Sequence, residues 1–179
     1  FTQNGNDSTA VRNAGVAASS PTLNKNVLSD GITVAAAPAY STAYGMAFAP
    51  LATGLWTTAS GGNGSNLNRI YYVQFTVTAN TNYKVQVDSL LFKSGFLSSS
   101  SNTKVGIVYS KTGFTTNDST DISTVPGTFA SPIALTNQSG GSTTSAYTVA
   151  FNGTSGVLVN AGETLTFRMY FSCGSTSTG

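Results

Sequence analysis

The stretch "YYVQFTVT" (residues 71–78) sets the strongest constraint on this chain. Tyr71, Val73, Phe75 and Val77 alternate with Tyr72, Gln74, Thr76 and Thr78. A period of two places the first set on one face of a strand and the second on the other. "TLTFRMYFS" (164–172) repeats the pattern with Leu165, Phe167, Met169 and Phe171 inward, and "KVGIVYS" (104–110) does so with Val105, Ile107 and Tyr109. Valine, aromatic residues and threonine suit a half-buried pleated surface. No stretch shows a helical period. Strands at short intervals with turn residues between them predict an all-β domain over residues 1–179, an antiparallel β-sandwich rather than a closed barrel.

The pieces between are less patterned. Residues 1–30 offer few core anchors and read as short edge strands and loops. "ITVAAA" (32–37) reads as a short strand. Residues 38–56 read as a long loop with a strand near 44–48, and 57–68 as a Gly/Asn/Ser loop. Tyr83, Val85 and Val87 alternate with Lys84, Gln86 and Asp88, and "ANTN" (79–82) precedes them, so 71–87 reads as a hairpin with one wet face. "SLLFKSGF" (89–96) continues in extended form, and 111–145 reads as a long variable stretch. "AYTVAF" (146–151) and the "VLV" of "NGTSGVLVNAGE" are further short strands.

Little here can do acid–base chemistry. Only 8% of residues are charged, against about 25% in an average domain. Histidine is absent, which removes the commonest general base and the usual triads. A glycosidase needs two carboxylates facing each other across a cleft. Asp118 and Asp121 share a polar loop, Asp88 sits at a strand end, and Glu163 follows a turn. The expectation is no enzyme, with Asp30, Asp118 and Asp121 the only carboxylates a hydrolase would have to use. Cys173, the one cysteine, reads as a small buried hydrophobe near a strand end. It cannot form an intramolecular disulfide or a cysteine-based zinc cluster. No cofactor is expected. Calcium is the one metal considered: "TNDSTDIS" (116–123) has suitable oxygen donors without a known loop spacing, so a plain surface loop is the reading.

The net charge is +2 and the eight Lys and Arg are scattered singly, so no basic footprint for nucleic acid exists. No apolar run is long enough for a membrane-spanning helix. The abundance of Ser, Thr, Asn and Gly suggests a secreted or cell-surface protein. The chain begins at Phe1 without an initiator Met and reads as a processed form or a segment of something longer.

Taken in order, Tyr72-x-x-Phe75-Thr76-Val77, Tyr83-x-Val85-x-Val87, Ser89-Leu90-x-Phe92, "VYSKTGFTT" and "TLTFRMYFSCGSTSTG" resemble the β-sandwich modules of secreted bacterial proteins. These are the Bacteroidetes type exported with a sorting domain and the PEP-CTERM type, in which "Y-x-FT(V/L)T" leads to "L-x-SL-x-F", "S-x-DGF" and "TFR-x-Y-Y". The resemblance covers roughly residues 56–179. It implies a jelly-roll-like sandwich, an extracellular location, and adhesive or glycan-binding company; it implies no reaction. Lys111-Thr112-Gly113-Phe114 lacks the usual acid before Gly-Phe, so no ligand role for that acid carries over. Such modules usually have one more strand after the Ser-Thr-Gly tail. That implies an unpaired edge beside 164–172, open to a partner strand, unless the rest of a longer polypeptide supplies it.

Glycan recognition needs flat aromatic surface and amide or hydroxyl groups rather than an acid or base. Trp56, Tyr72, Tyr40, Tyr44 and Asn63 are the candidates; for Trp56, a core position is the plain alternative. The Asp-Ser-Thr triplets at Asp7 and Asp118 resemble short bacterial O-glycosylation signals and make Ser8 and Ser119 candidates for modification. The function expected is a non-catalytic extracellular adhesion or glycan-binding module. Its partner would be a glycan or cell-surface polymer. The alternative is a structural subunit of an extracellular filament or surface layer, its partners copies of itself joined by shared strands or faces.

Overall fold

A computed structural model describes residues 12–19, 21–24, 27–29, 40–41, 45–49, 71–96, 103–115, 120–121, 133–137, 145–151 and 155–172. Within them the chain is all-β, every strand ladder is antiparallel, and no helix occurs. The strands are β1 (Thr22–Asn24), β2 (Val27–Ser29), β3 (Tyr40–Ser41), β4 (Gly45–Ala49), β5 (Tyr72–Thr78), β6 (Val85–Val87), β7 (Ser89–Ser94), β8 (Lys104–Ser110), β9 (Thr120–Asp121), β10 (Ile133–Ala134), β11 (Ser145–Ala150), β12 (Val157–Val159) and β13 (Thr164–Ser172). The stretch read as variable, 111–145, thus contributes two short strands, β9 and β10. The strand read near 44–48 is β4, flanked by β2 and β3. The strand expected at 32–37 lies outside the described residues.

The largest sheet runs β1-β5-β13-β8-β10, with β9 also on β8. Its centre is the three strands with the clearest alternation, because those have two apolar-flanked edges to satisfy and an apolar face to bury. β6 and β7 form a second, ribbon-like unit with β12 and β11: Val87 lies opposite Val157 and Ser89 opposite Ala150. The inward side alternates except at Asp88–Ser89, where Val87 and Leu90 both face the core. There the partner strand leaves the ladder between Phe151 and Gly156. Phe151 N–H donates to the Asp88 carbonyl at 2.9 Å, and Gly156 N–H to the Phe151 carbonyl at 3.0 Å.

The large sheet and the ribbon share their apolar side chains in two buried clusters. One gathers Val73, Val105, Ile107, Met169 and Phe171 with Val149, Leu90 and Phe92; the other gathers Leu165 and Phe167 with Phe151, Val157, Val159, Val85 and Val87. Phe75 and Leu90 touch both. Phe167 stacks on Phe75 at 5.0 Å and meets Phe151 edge-on at 5.2 Å. Edge-to-face and offset pairs of this kind add to plain burial.

Two expectations are overturned. The stretch 71–87 is not a hairpin: β5 pairs with β1 and β13, while β6 pairs with β12. Both edges of β5 are taken, and the N-terminal segment adds a bridge from Val16 to Ala79 and a bond from Ala17 N–H to the Thr78 carbonyl (2.9 Å). The chain therefore turns at 80–83, with Tyr83 N–H on the Asn80 carbonyl at 3.0 Å and Asn82 at φ 71°, and crosses to the ribbon. Tyr83, expected inward, is 47% exposed and lies over Gly15. The second correction concerns β13. It has no unpaired edge, because β5 lies on one side and β8 on the other. The longest apolar strand belongs at the centre, where both its ladders and its inward face are satisfied.

Candidate functional site

The face of the large sheet opposite the core carries Tyr72, Gln74, Thr76 and Thr78 on β5, Thr164, Thr166, Arg168 and Tyr170 on β13, and Val108 and Ser110 on β8. The register places Arg168 between Gln74 and Val108, and Tyr170 between Tyr72 and Gly106. Arg168 Nε donates to Gln74 Oε1 at 2.8 Å. The Tyr72 ring lies on one side of the guanidinium, its centroid 4.3 Å from Cζ, and meets Tyr170 edge-on at 5.5 Å. The Thr hydroxyls pair among themselves or with neighbours: Thr78 with Thr164 at 2.8 Å, Thr76 with Ser19 at 2.8 Å.

A third ring arrives from the loop after β8. Ser110, fully buried, accepts from Thr112 N–H at 3.1 Å and from Phe114 N–H at 2.9 Å. Gly113 (φ 69°) and Phe114 (φ 66°) both adopt the left-handed region. That conformation is ordinary for glycine and uncommon for phenylalanine, so the two serine bonds hold a turn the backbone would otherwise avoid. The result brings the Phe114 ring to 4.0 Å from Arg168 Cζ. The guanidinium is thus a half-buried cation stacked against Tyr72 and Phe114.

Lys111, from the same loop, bonds the Leu158 carbonyl and reaches Glu163 Oε2 at 3.3 Å. Glu163 also accepts from Asn160 N–H (2.9 Å) and Asn160 Nδ2 (3.1 Å). The Asn160 backbone bond first and its side-chain bond next hold the Glu163 carboxyl below its usual range; desolvation opposes them, and Lys111 adds less than either Asn160 bond. This group ties the loop after β8 to the turn before β13. It is a clamp rather than a pair of opposed carboxylates.

Of the residues singled out from sequence, Tyr72 stands in the cluster. Tyr40 lies in β3, but its side chain falls outside the described residues, as do Trp56, Tyr44, Asn63, Ser8 and Ser119 entirely. Asp30 and Asp118 also lie outside. Asp121 is placed by its backbone in β9, opposite Val108. Cys173 follows the last residue of β13 and lies outside too, and so does 116–123 apart from β9. Among the described residues, no three His, Cys, Asp or Glu side chains gather, and no helix is long and apolar enough to cross a membrane.

Sequence reasoning missed Arg168, Phe114 and Gln74 as neighbours of Tyr72. A signal existed. Arg168 is the one charge in a nine-residue strand and falls on its polar face, as Tyr72 and Gln74 do on theirs. Phe114 follows a strand-ending Ser and a Gly. All belong to the stretches Tyr72-x-x-Phe75-Thr76-Val77, "VYSKTGFTT" and "TLTFRMYFSCGSTSTG" quoted above, which the fold brings to one place. No protein-family model, curated protein or solved structure matches the chain.

Proposed function

We propose that this chain is a non-catalytic adhesion or glycan-binding module of a secreted or cell-surface bacterial protein, built as a jelly-roll-like sandwich. One observation carries the reading: Tyr72, Arg168 and Phe114 form a half-buried aromatic and cationic cluster on a sheet face that also carries Thr, Ser and Gln beside buried Val108 and Tyr170. Aromatic rings supply flat apolar surface for a sugar ring, and amides and hydroxyls supply hydrogen bonds. The test is retention of the full chain on a panel of immobilised glycans. The expected outcome is binding that falls about two- to tenfold in Tyr72→Ala while the unfolding transition is retained. An unchanged affinity in a folded Tyr72→Ala refutes this site.

A second reading, a structural subunit of a filament or surface layer, is favoured by the outward side of the ribbon. Leu91 is 71% exposed and Leu158 42%, on a side shared with Ala146, Thr148 and Ala150. Assembly would then proceed through that face, since β13 is paired on both sides. Electron microscopy at physiological salt separates the readings. Regular filaments lost in Leu91→Asp support the subunit; dispersed monomers support the glycan module.

A further inference from the structure

The proposed glycan site has a built-in charge preference. We infer that Arg168 makes it selective for anionic ligands, binding a carboxylate edge-on; resting on the glycan reading, the ligand class is an acidic polysaccharide carrying uronic acid residues. A guanidinium offers five N–H donors in one plane and no acceptor. Here its Cζ lies over the Tyr72 and Phe114 rings, 4.3 and 4.0 Å from their centroids, and its Nε–H is used by Gln74. The edge that remains is the pair of terminal NH2 groups. Among the described residues no hydrogen-bond or ion-pair partner stands at that edge.

The strand neighbours make the charge more telling. The positions beside Arg168 across the sheet are Gln74 and Val108, and the diagonal ones are Tyr72, Thr76, Gly106 and Ser110; none is acidic. Among the described residues, the nearest acid by register is Asp121, opposite Val108 and so two strands away, about 9–10 Å between backbones. Lys111, by contrast, has Glu163. Two parallel N–H groups match the two oxygens of a carboxylate, which a lysine ammonium cannot do. Because the two rings and Gln74 already hold the guanidinium in place, less freedom is lost on binding.

The test is isothermal titration of the full chain at low salt with three probes: oligogalacturonate, its neutral methyl ester, and the galacturonate monomer. The acidic oligomer is expected to bind at least about tenfold more tightly than the ester and to weaken as salt is added. Arg168→Lys keeps the charge but loses the fork and the stacking, and should lose a similar factor. Phe114→Leu removes one stacked face, should lose less, and serves if the lysine variant fails to fold. Equal binding of acid and ester overturns the inference and leaves the glycan reading standing. Arg168-dependent binding of the monomer, with no gain for the oligomer, supports the anion site and confines it to a single uronic acid residue. Failure of all three probes overturns the inference and leaves the glycan reading to the panel of neutral glycans.

Discussion

Replacing Ser110 by alanine tests how the loop after β8 holds the site together. Ser110 is fully buried, and its Oγ accepts two backbone N–H groups, those of Thr112 and Phe114. Each such bond contributes about 0.5–1.5 kcal/mol net. Thr112 is exposed and its N–H can turn to water, so the lower end applies there, whereas Phe114 is half-buried. Without the serine, the bonds from Thr115 N–H and Oγ1 to the Thr112 carbonyl remain, but the Phe114 N–H loses its partner and the left-handed backbone that sets its ring against Arg168 loses its main support. That cation–π contact is worth about 0.5–1 kcal/mol at a partly exposed site. The expected loss is about 2–3 kcal/mol by urea denaturation, or a fall of roughly 4–12 °C in Tm for a domain of this size. Phe114→Ala alone should cost less. Because part of the effect of Ser110 passes through Phe114, the double variant should cost less than the sum of the two, by about 0.5–1 kcal/mol. Strict additivity would refute the claim that the serine acts by placing the ring.

Other expectations concern the frame around the site. Gly156→Ala and Gly162→Ala share a positive φ (70° and 76°), but a Cβ at 156 would lie 2.7 Å from the Val87 carbonyl oxygen while one at 162 meets nothing within 4 Å. Both lose about 1–2 kcal/mol to backbone strain, and urea midpoints should show a clearly larger loss at 156, where backbone must move. Phe167→Ala removes a ring that is 1% exposed, stacks on Phe75 and meets Phe151 edge-on, so it should cost about 3–5 kcal/mol in the same assay. Glu163 has a lowered pKa in the folded state. Its contribution is therefore complete above the ordinary carboxylate pKa and is lost as pH falls through the lowered folded value. Glu163→Gln should flatten the acid side of the stability–pH profile, read from denaturation midpoints between neutral pH and about pH 3.

How much of this was legible beforehand follows from the range of the forces involved. Alternation is local: one residue decides which way the next points. Hence the inward sets of β5, β8 and β13, and the polar position of Tyr72, could be read directly from residues 71–78, 104–110 and 164–172. Pairing is not local. A short polar turn between two alternating runs looks the same whether the second run folds back beside the first or crosses to another unit, so Val85 and Val87 were read as a hairpin partner of β5. Competition for edges decided otherwise, because β1 and β13 already occupied both sides of β5. The central place of β13 was hidden for the same reason, since its two ladders join segments far apart in the chain. The site shows the division most clearly. Each of Tyr72, Phe114 and Arg168 sits in a recognisable stretch, but only the register of β5 with β13 and the serine-held turn after β8 bring two rings to 4.3 and 4.0 Å from one guanidinium carbon.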